Sequence, residues 1–382
     1  MNATLLVTGG AGYIGSHVLA ELIAAGYRPI VLDDLSNGSR RAVERVETLA
    51  GRRIPFFHGD VCEPGRVRSL FDHYRRQGDP IGCVVHLAGC KAVAESVADP
   101  LKYYNVNVAG SAQLLSAMLQ CGVRRLVFSS SATVYGCPVA LPMTEDHPLA
   151  PASPYGRSKL AVEQMLRDLC AARPDFGAVI LRYFNPIGAH PSGRIGEAPH
   201  NVPANLFPYL TQVAVGRLPR LTIFGDDYDT ADGTGVRDYL HVMDLARGHV
   251  RAVDRALQEP GALTVNLGTG SGTSVRELVH AFERVTGCRI PCAIAPRRHG
   301  DVAAMWADPG KARRELGWQA ERTLEDMCAD GWRWQRQNPA GYADIDGQAA
   351  AGSLLRRGSR RGRPGRIEPV APPLPSRIAR PA

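Results

Sequence analysis

The chain has 382 residues, 45% of them hydrophobic and 21% charged, with a formal net charge of +8; this sits in the ordinary globular range and suits two domains or one large α/β unit with an appended lobe. No apolar run approaches the roughly 18 residues a membrane span requires, and the N-terminus, Met1-Asn2-Ala3-Thr4, lacks the basic start and cleavage segment of a signal peptide, which predicts a soluble cytoplasmic protein. The charge is lopsided: beyond Asp346 stand eight arginines against the single acid Glu368, so the tail carries +7 and the remainder +1, and a nearly neutral body argues against nucleic acid as its partner.

Through about residue 180, short β-branched runs alternate with helical patterns, the signature of βαβ units on a parallel sheet. Strands are predicted at 4–8, 29–33, 54–58, 83–87, 125–129 and 177–182, six in a doubly wound sheet. A helix over 12–25 stops at Gly26, another over 108–121 stops at Gly122, and Ser153-Pro154 caps and starts a third from Tyr155. From Pro186 to about Gly235 the chain turns rich in Gly, Pro and Asn, a loop-built region. Helical patterns return at 242–257, 274–286 and 324–337, with a strand at 263–267 between the first two. The organisation predicted is a Rossmann dinucleotide-binding domain over 1–185, a smaller mixed α/β substrate lobe over 186–342, and a basic, disordered tail over 343–382. Nine scattered cysteines without CxxC spacing predict reduced thiols and no metal site.

After the first strand, Gly9-Gly10-Ala11-Gly12-Tyr13-Ile14-Gly15 places glycines at 9, 12 and 15. Such a turn lets backbone approach a pyrophosphate at a helix N-terminus. Asp33, at the end of the next strand, is placed for adenosine ribose hydroxyls and would repel the extra phosphate of NADP; Asp34 adds to that bias, so NAD is the expected cofactor. Asp60 and the turn Leu87-Ala88-Gly89 also fall at the carboxyl edge, Asp60 being equally readable as a helix cap.

Ser129-Ser130-Ser131 ends a strand, and Tyr155 and Lys159 stand one helical turn apart on one face. A phenol titrates near 10 in water and is a poor base at neutral pH. An ammonium at roughly 4 to 5 Å favours phenolate by about 3 kcal/mol at most, which would make Tyr155 a general base.

The segments TGGAGYIGSH, HLAGCKAVAESV, FSSSATVYG, PYGRSKLAVEQ, LRYFNPIGAHPSG, GTGVRDYLHVMDLA and APRRHGD resemble, in order and spacing over about residues 4 to 342, the UDP-galactose 4-epimerases of the extended short-chain dehydrogenase/reductase family. The resemblance implies that Ser131 bonds the reacting sugar hydroxyl, Tyr155 exchanges its proton, and Lys159 bonds the nicotinamide ribose. It implies further NAD contacts from Tyr13, Ile14, Asn37, Val61, Lys91, Asn107 and Phe184. For a UDP-sugar it points to Asn185, Asn205, Leu206, Thr222, Ile223, Phe224, Arg237, Arg298 and Asp301, and to Met305 as the residue whose size admits or rejects 2-acetamido groups. Forked guanidiniums suit a diphosphate, which supports the two arginines independently. Leu87 departs from the family, some members of which carry Phe there. The resemblance also implies a homodimer joined by the helices 103–121 and 155–170.

The activity expected is interconversion of UDP-glucose and UDP-galactose by transient oxidation at sugar carbon 4, with the keto sugar rotating before the same hydride returns. Alternatives are an epimerase of N-acetylated or uronic UDP-sugars, an NDP-sugar dehydratase, and a non-catalytic NAD-binding protein. A dehydratase wants a carboxylate beside the central serine, whereas Ser131 is followed by Ala132-Thr133-Val134 and the first acids are Glu145 and Asp146.

Overall fold

The computed structural model describes residues 3–343 except 64, 200 and 299. In chain order the strands are β1 Thr4–Thr8, β2 Arg28–Asp33, β3 Phe56–His58, β4 Ile81–His86, β5 Arg125–Ser131, β6 Gly177–Tyr183, β7 Asn185–Ile187, β8 Leu221–Phe224, β9 Val236–Arg237, β10 Tyr239–His241, β11 Gly261–Leu267, β12 Thr273–Ser274, β13 Cys292–Ala295 and β14 Ala304–Met305. The helices are α1 Tyr13–Ala24, α2 Arg40–Ala50, α3 Arg66–Arg76, α4 Val93–Ala98, α5 Pro100–Tyr103, α6 Gly110–Cys121, α7 Pro154–Ala172, α8 Leu206–Ala214, α9 Val242–Gln258, α10 Val275–Thr286, α11 Gly310–Leu316 and α12 Leu324–Gln337.

β1 is buried at all five positions, so it takes a central place with a neighbour on each side. The main sheet runs β11-β6-β5-β4-β1-β2-β3, every pair parallel. The order reverses between β1 and β4, and ligands bind at the carboxyl edge of such a switch point. Helix ends follow local chemistry: α6 stops where Gly122 turns left-handed at φ 79°, and α7 starts where the Ser153 hydroxyl accepts from the Gly156 amide with Pro154 in the first turn.

The sheet has seven strands where six are predicted, and the seventh comes from beyond residue 185. β11 pairs with β6 residue for residue, Gly261 opposite Gly177 through Leu267 opposite Tyr183. All seven residues of β6 are buried, so it requires a further strand on its outer edge. The preceding α9 lays Leu245, Ala246, Ala252, Val253 and Ala256 into the same core as Val18, Leu19 and Leu22 of α1. Residues 242–267 therefore return to the dinucleotide half, and a cut at 185 does not separate two self-contained pieces. What else follows 185 forms three small sheets around a core that includes Ile187, Phe207, Leu210, Phe282 and Met327. The compact unit ends at Tyr342; the tail predicted for 343–382 lies, after Ala343, outside the described residues. Among the described residues no helix is long and apolar enough to cross a membrane, and all nine cysteines are unbridged.

Candidate active site

The glycine turn between β1 and α1 shows why each glycine is there. A Cβ on Gly9, whose φ is 72°, would stand 2.7 Å from the Ala88 amide nitrogen, and one on Gly15 would stand 2.2 Å from the Gly9 carbonyl oxygen; both contacts are with backbone, so the fold itself demands these glycines. Gly12 differs. Its Cβ would meet only the Gly9 oxygen, at 3.4 Å, and no side chain caps the start of α1, which leaves a cradle of first-turn amides open to an anion.

Asp33 closes β2 beside this cradle. One carboxylate oxygen accepts from Ala11 N at 2.8 Å and the other from Leu35 N at 2.9 Å, while burial raises its pKa against those bonds. Asp34 and Asn37 are exposed, with Asp34 bonded to Ser36. Asp60 does not cap a helix; its Oδ1 accepts from Cys62 N at 2.8 Å and holds a turn, and Val61 is buried in the core. The Leu87 and Ala88 amides donate to the Thr8 carbonyl and hydroxyl at 3.1 and 3.3 Å, locking the ends of β1 and β4 together. A Cβ on Gly89 would lie 2.8 Å from Asn107 Oδ1 and 3.7 Å from Lys159 Nζ. Asn107, on a π-helical turn over Tyr104–Ala109, accepts from Cys90 N and donates to the Cys90 carbonyl and to Ser158 Oγ, so it ties the loop after β4 to α7. Open amides, a carboxylate at the end of β2 beside them and a glycine-lined wall fit a dinucleotide.

Ser131, Tyr155 and Lys159 come together at the end of β5. The Ser131 oxygen accepts from Thr133 N at 3.2 Å and Thr133 Oγ1 at 3.0 Å, which leaves its proton to donate to Tyr155. Lys159 is buried and donates to the Ser129 carbonyl at 2.9 Å, with Nζ 6.0 Å from the centre of the Tyr155 ring. Burial pushes Lys159 down to about 8. Tyr155 moves the other way: desolvation raises its pKa, and a hydrogen bond with Ser131 offsets only part of the rise. The expected lowering of the phenol by a close ammonium is therefore corrected. Lys159 is engaged by backbone and its Nζ is 6.0 Å from the ring centre, and desolvation of the phenolate is the largest influence on Tyr155.

The residues expected to hold a UDP-sugar fall on the small sheets and their loops. Phe184 is buried, Asn185 exposed at the start of β7, and Asn205 and Leu206 stand at the start of α8. Along β8, Thr222 is half-buried, Ile223 buried and Phe224 40% exposed. The Arg298 guanidinium lies 5.0 Å over the Phe224 ring and bonds Asp301 at 2.8 Å. Arg237 is opposite Met305 in the β9–β14 pairing and donates to the Val236 carbonyl at 2.8 Å; the charges of Arg237 and Arg298 both work against the rise that burial gives the Tyr239 phenol. Lys91, expected to touch NAD, forms an ion pair with Glu197 at 3.0 Å.

Sequence reasoning missed a buried polar chain behind the site. Glu163, one turn beyond Lys159 on α7 and fully buried, accepts a fork from Arg182 at 2.9 and 2.6 Å, the Ser130 hydroxyl at 2.5 Å and Arg167 at 2.6 Å. Arg182 continues to the Tyr135 hydroxyl, which bonds Asn266. The available signal was a Glu four residues after the lysine and an Arg inside an apolar strand, residues that are rarely buried unless paired.

A family model described as GDP-mannose 4,6 dehydratase matches residues 6–331. UDP-glucose 4-epimerase of Bacillus subtilis is 55% identical over 342 residues, covering 90% of this chain and 99% of the relative. The chain belongs to the UDP-glucose 4-epimerase family. Solved members of that family agree: the epimerase from Stenotrophomonas maltophila with bound NAD and formylated UDP-arabinopyranose is 48% identical with a TM-score of 0.86, covering 88% of this chain and 99% of that one. The epimerase from Bifidobacterium longum in complex with NAD+ and UDP is 49% identical with a TM-score of 0.84, covering 89% and 100%. Of the first two acids after Ser131, Glu145 accepts from Asn266 N at 2.6 Å and Asp146 is exposed, while the buried Glu163 is committed to arginines.

Proposed function

We propose that the protein is an NAD-dependent epimerase that interconverts UDP-glucose and UDP-galactose at sugar carbon 4. One observation carries the reading: Lys159, beside Ser131 and Tyr155, stands 3.7 Å from where a Cβ on Gly89 would be, so the proton-handling group abuts the wall of the dinucleotide cleft.

When bound, NAD supplies a hydride acceptor. The cradle at Gly12 to Gly15 with Tyr13 and Ile14 holds its pyrophosphate, Asp33 with Asp34 and Asn37 its adenosine ribose, and Asp60, Val61, Leu87, Lys91, Asn107 and Phe184 line the rest. The Ser131 hydroxyl, bonded to Tyr155 in the free protein, turns its proton to the carbon 4 oxygen. The charge of Lys159, added to by the positive ring of bound NAD, would favour release of the phenol proton to solvent, and Tyr155 as phenolate would then take the hydroxyl proton and return it. Lys159, still charged at neutral pH with a pKa of about 8, keeps a positive charge facing the cleft. Arg237 and Arg298 neutralise the diphosphate bidentately, while Phe224 offers its ring to the base. Gripping the nucleotide end leaves the sugar free to turn over between the two halves of the reaction.

A homodimer also fits: α4, α5 and the π-turn leave Val93, Val97, Leu101 and Tyr104 exposed, at 45, 65, 71 and 37%, an apolar patch of the kind that marks an interface. Light scattering at micromolar protein tests it, a monomer mass excluding it.

The function is tested by incubating the purified protein, without added NAD, with UDP-galactose, UDP-N-acetylglucosamine and a UDP-uronic acid. UDP-glucose from the first is the expected product; a dehydrated sugar or no product from any of them refutes the assignment. Turnover of the second or third in preference to the first moves it to the alternative substrates, with Met305 as the residue to vary.

A further inference from the structure

We infer that Glu197 is a positioning residue for the cofactor site: it anchors Lys91 across the mouth of the dinucleotide cleft and forms a latch that slows exchange of the bound dinucleotide. The inference rests on the proposed function, which requires one dinucleotide to stay in place from the first half-reaction to the second.

The two side chains are 106 positions apart and come from opposite sides of the cleft. Lys91 follows the turn Leu87-Ala88-Gly89 after β4. Glu197 belongs to the loop after β7, and that loop closes over the start of α1: the Tyr13 hydroxyl, one residue past the Gly12 cradle, donates to the Gly188 carbonyl at 2.8 Å. The negative charge of Glu197 is near enough to help raise the buried Tyr13 phenol. The ion pair therefore runs from the β4 edge to a loop lying on the anion cradle.

The acidic half is held rigidly. Trp334 Nε1 donates to the Glu197 carbonyl at 3.0 Å, and the Tyr342 hydroxyl bonds Gly196 N at 3.1 Å. A Cβ on Gly196 would collide with the Trp334 indole at 2.4 Å, so this loop and α12 are in close contact. Glu197 is 14% exposed and Lys91 49%. An exposed pair of two free side chains is worth little, because ordering both offsets the attraction. Here one partner is already ordered, and only the lysine has to be immobilised. Opening then requires one ion pair to break, a step that salt screens.

The test uses the full-length holoenzyme and follows release of its bound dinucleotide by exchange with radiolabelled NAD, at low and at high sodium chloride. Glu197→Gln keeps the backbone bond to Trp334 and removes the charge; Lys91→Met removes the other end. Each variant is expected to release dinucleotide about three- to fivefold faster than the parent at low salt, the range of a well-ordered ion pair, the double variant no faster than either single one, and salt to accelerate only the parent. Release at the parental rate in both single variants overturns the latch, as does additivity in the double variant. If Glu197→Gln fails to fold, Glu197→Ala, which also keeps the backbone carbonyl bonded to Trp334, decides through its rate and its salt response, because Lys91→Met also removes a lining residue of the dinucleotide site. A parent protein that carries no dinucleotide overturns the functional reading and the latch together, whereas parental release from active variants overturns the latch only.

Discussion

Lys159 donates its ammonium to the Ser129 carbonyl at 2.9 Å, one residue pair away from Ser131 and one helical turn from Tyr155. This bond fixes the lysine at the carboxyl end of β5 in surroundings that lower its pKa to about 8, while burial raises the phenol. The free protein therefore holds a protonated phenol beside a lysine that is mostly charged at neutral pH.

The pH profile follows. As pH rises through about 8, Lys159 loses its charge and with it the electrostatic support for a departing phenol proton, so kcat/KM for UDP-galactose should fall above pH 8. Lys159→Met should lose that alkaline limb together with most of the activity, and Tyr155→Phe should lower kcat by about 10²- to 10⁴-fold, the scale of general acid-base catalysis, while retaining bound NAD. An unchanged alkaline limb in Lys159→Met would remove the lysine from this role.

The glycine turn separates folding from binding. Gly15→Ala places a methyl 2.2 Å from backbone oxygen and should destabilise the protein, read as a lower urea midpoint. Gly12→Ala meets only one atom, at 3.4 Å, and should keep the parental midpoint while the purified protein loses its dinucleotide absorbance. Equal behaviour of the two variants would contradict this division.

Glu163 and Arg182 are both fully buried and joined by a fork. The arginine, with the serine, holds the Glu163 pKa down against desolvation. Arg182→Met leaves that carboxylate short of its main partner and should cost about 3–5 kcal/mol of stability, measured by denaturant unfolding. A loss under 1 kcal/mol would show that Ser130 and Arg167 suffice.

His17, His86 and His249 are buried, and desolvation lowers them to about 3, about 3 and about 4. An unfolded histidine titrates near 6.5, so between that pH and the folded values the unfolded chain binds more protons. Stability is full above pH 6.5 and falls as pH drops, by up to about 1.4 kcal/mol per pH unit for each histidine. Denaturation midpoints at pH 7, 6 and 5 should decline steeply, with a shallower slope in His86→Gln. A flat profile over that range would mean these imidazoles reach solvent.

Much of this was legible in the sequence because it is written locally. The glycine turn, the end of β2 at Asp33 and the Ser153-Pro154 start of α7 each depend on residues within a few positions of one another. The first six strands fall within two or three residues of their predicted bounds at every end. The seventh strand's place was not legible: 263–267 reads as a strand, but its partner is the β6 edge, some 84 residues earlier, a relation no local pattern carries. The same holds for Glu163 with Arg182, and for Lys91 with Glu197, pairs that the tertiary fold brings together. The effect of Lys159 on Tyr155 was misjudged because spacing on a helix gives proximity of backbones, while the pKa depends on burial and on which acceptor the ammonium chooses.

The central claim is that one hydride leaves carbon 4 and returns to it inside a closed site. The most direct measurement is conversion of UDP-galactose carrying deuterium at carbon 4, with no NAD added. UDP-glucose that keeps the label at carbon 4 is the predicted result; product with that deuterium replaced by solvent hydrogen would contradict it.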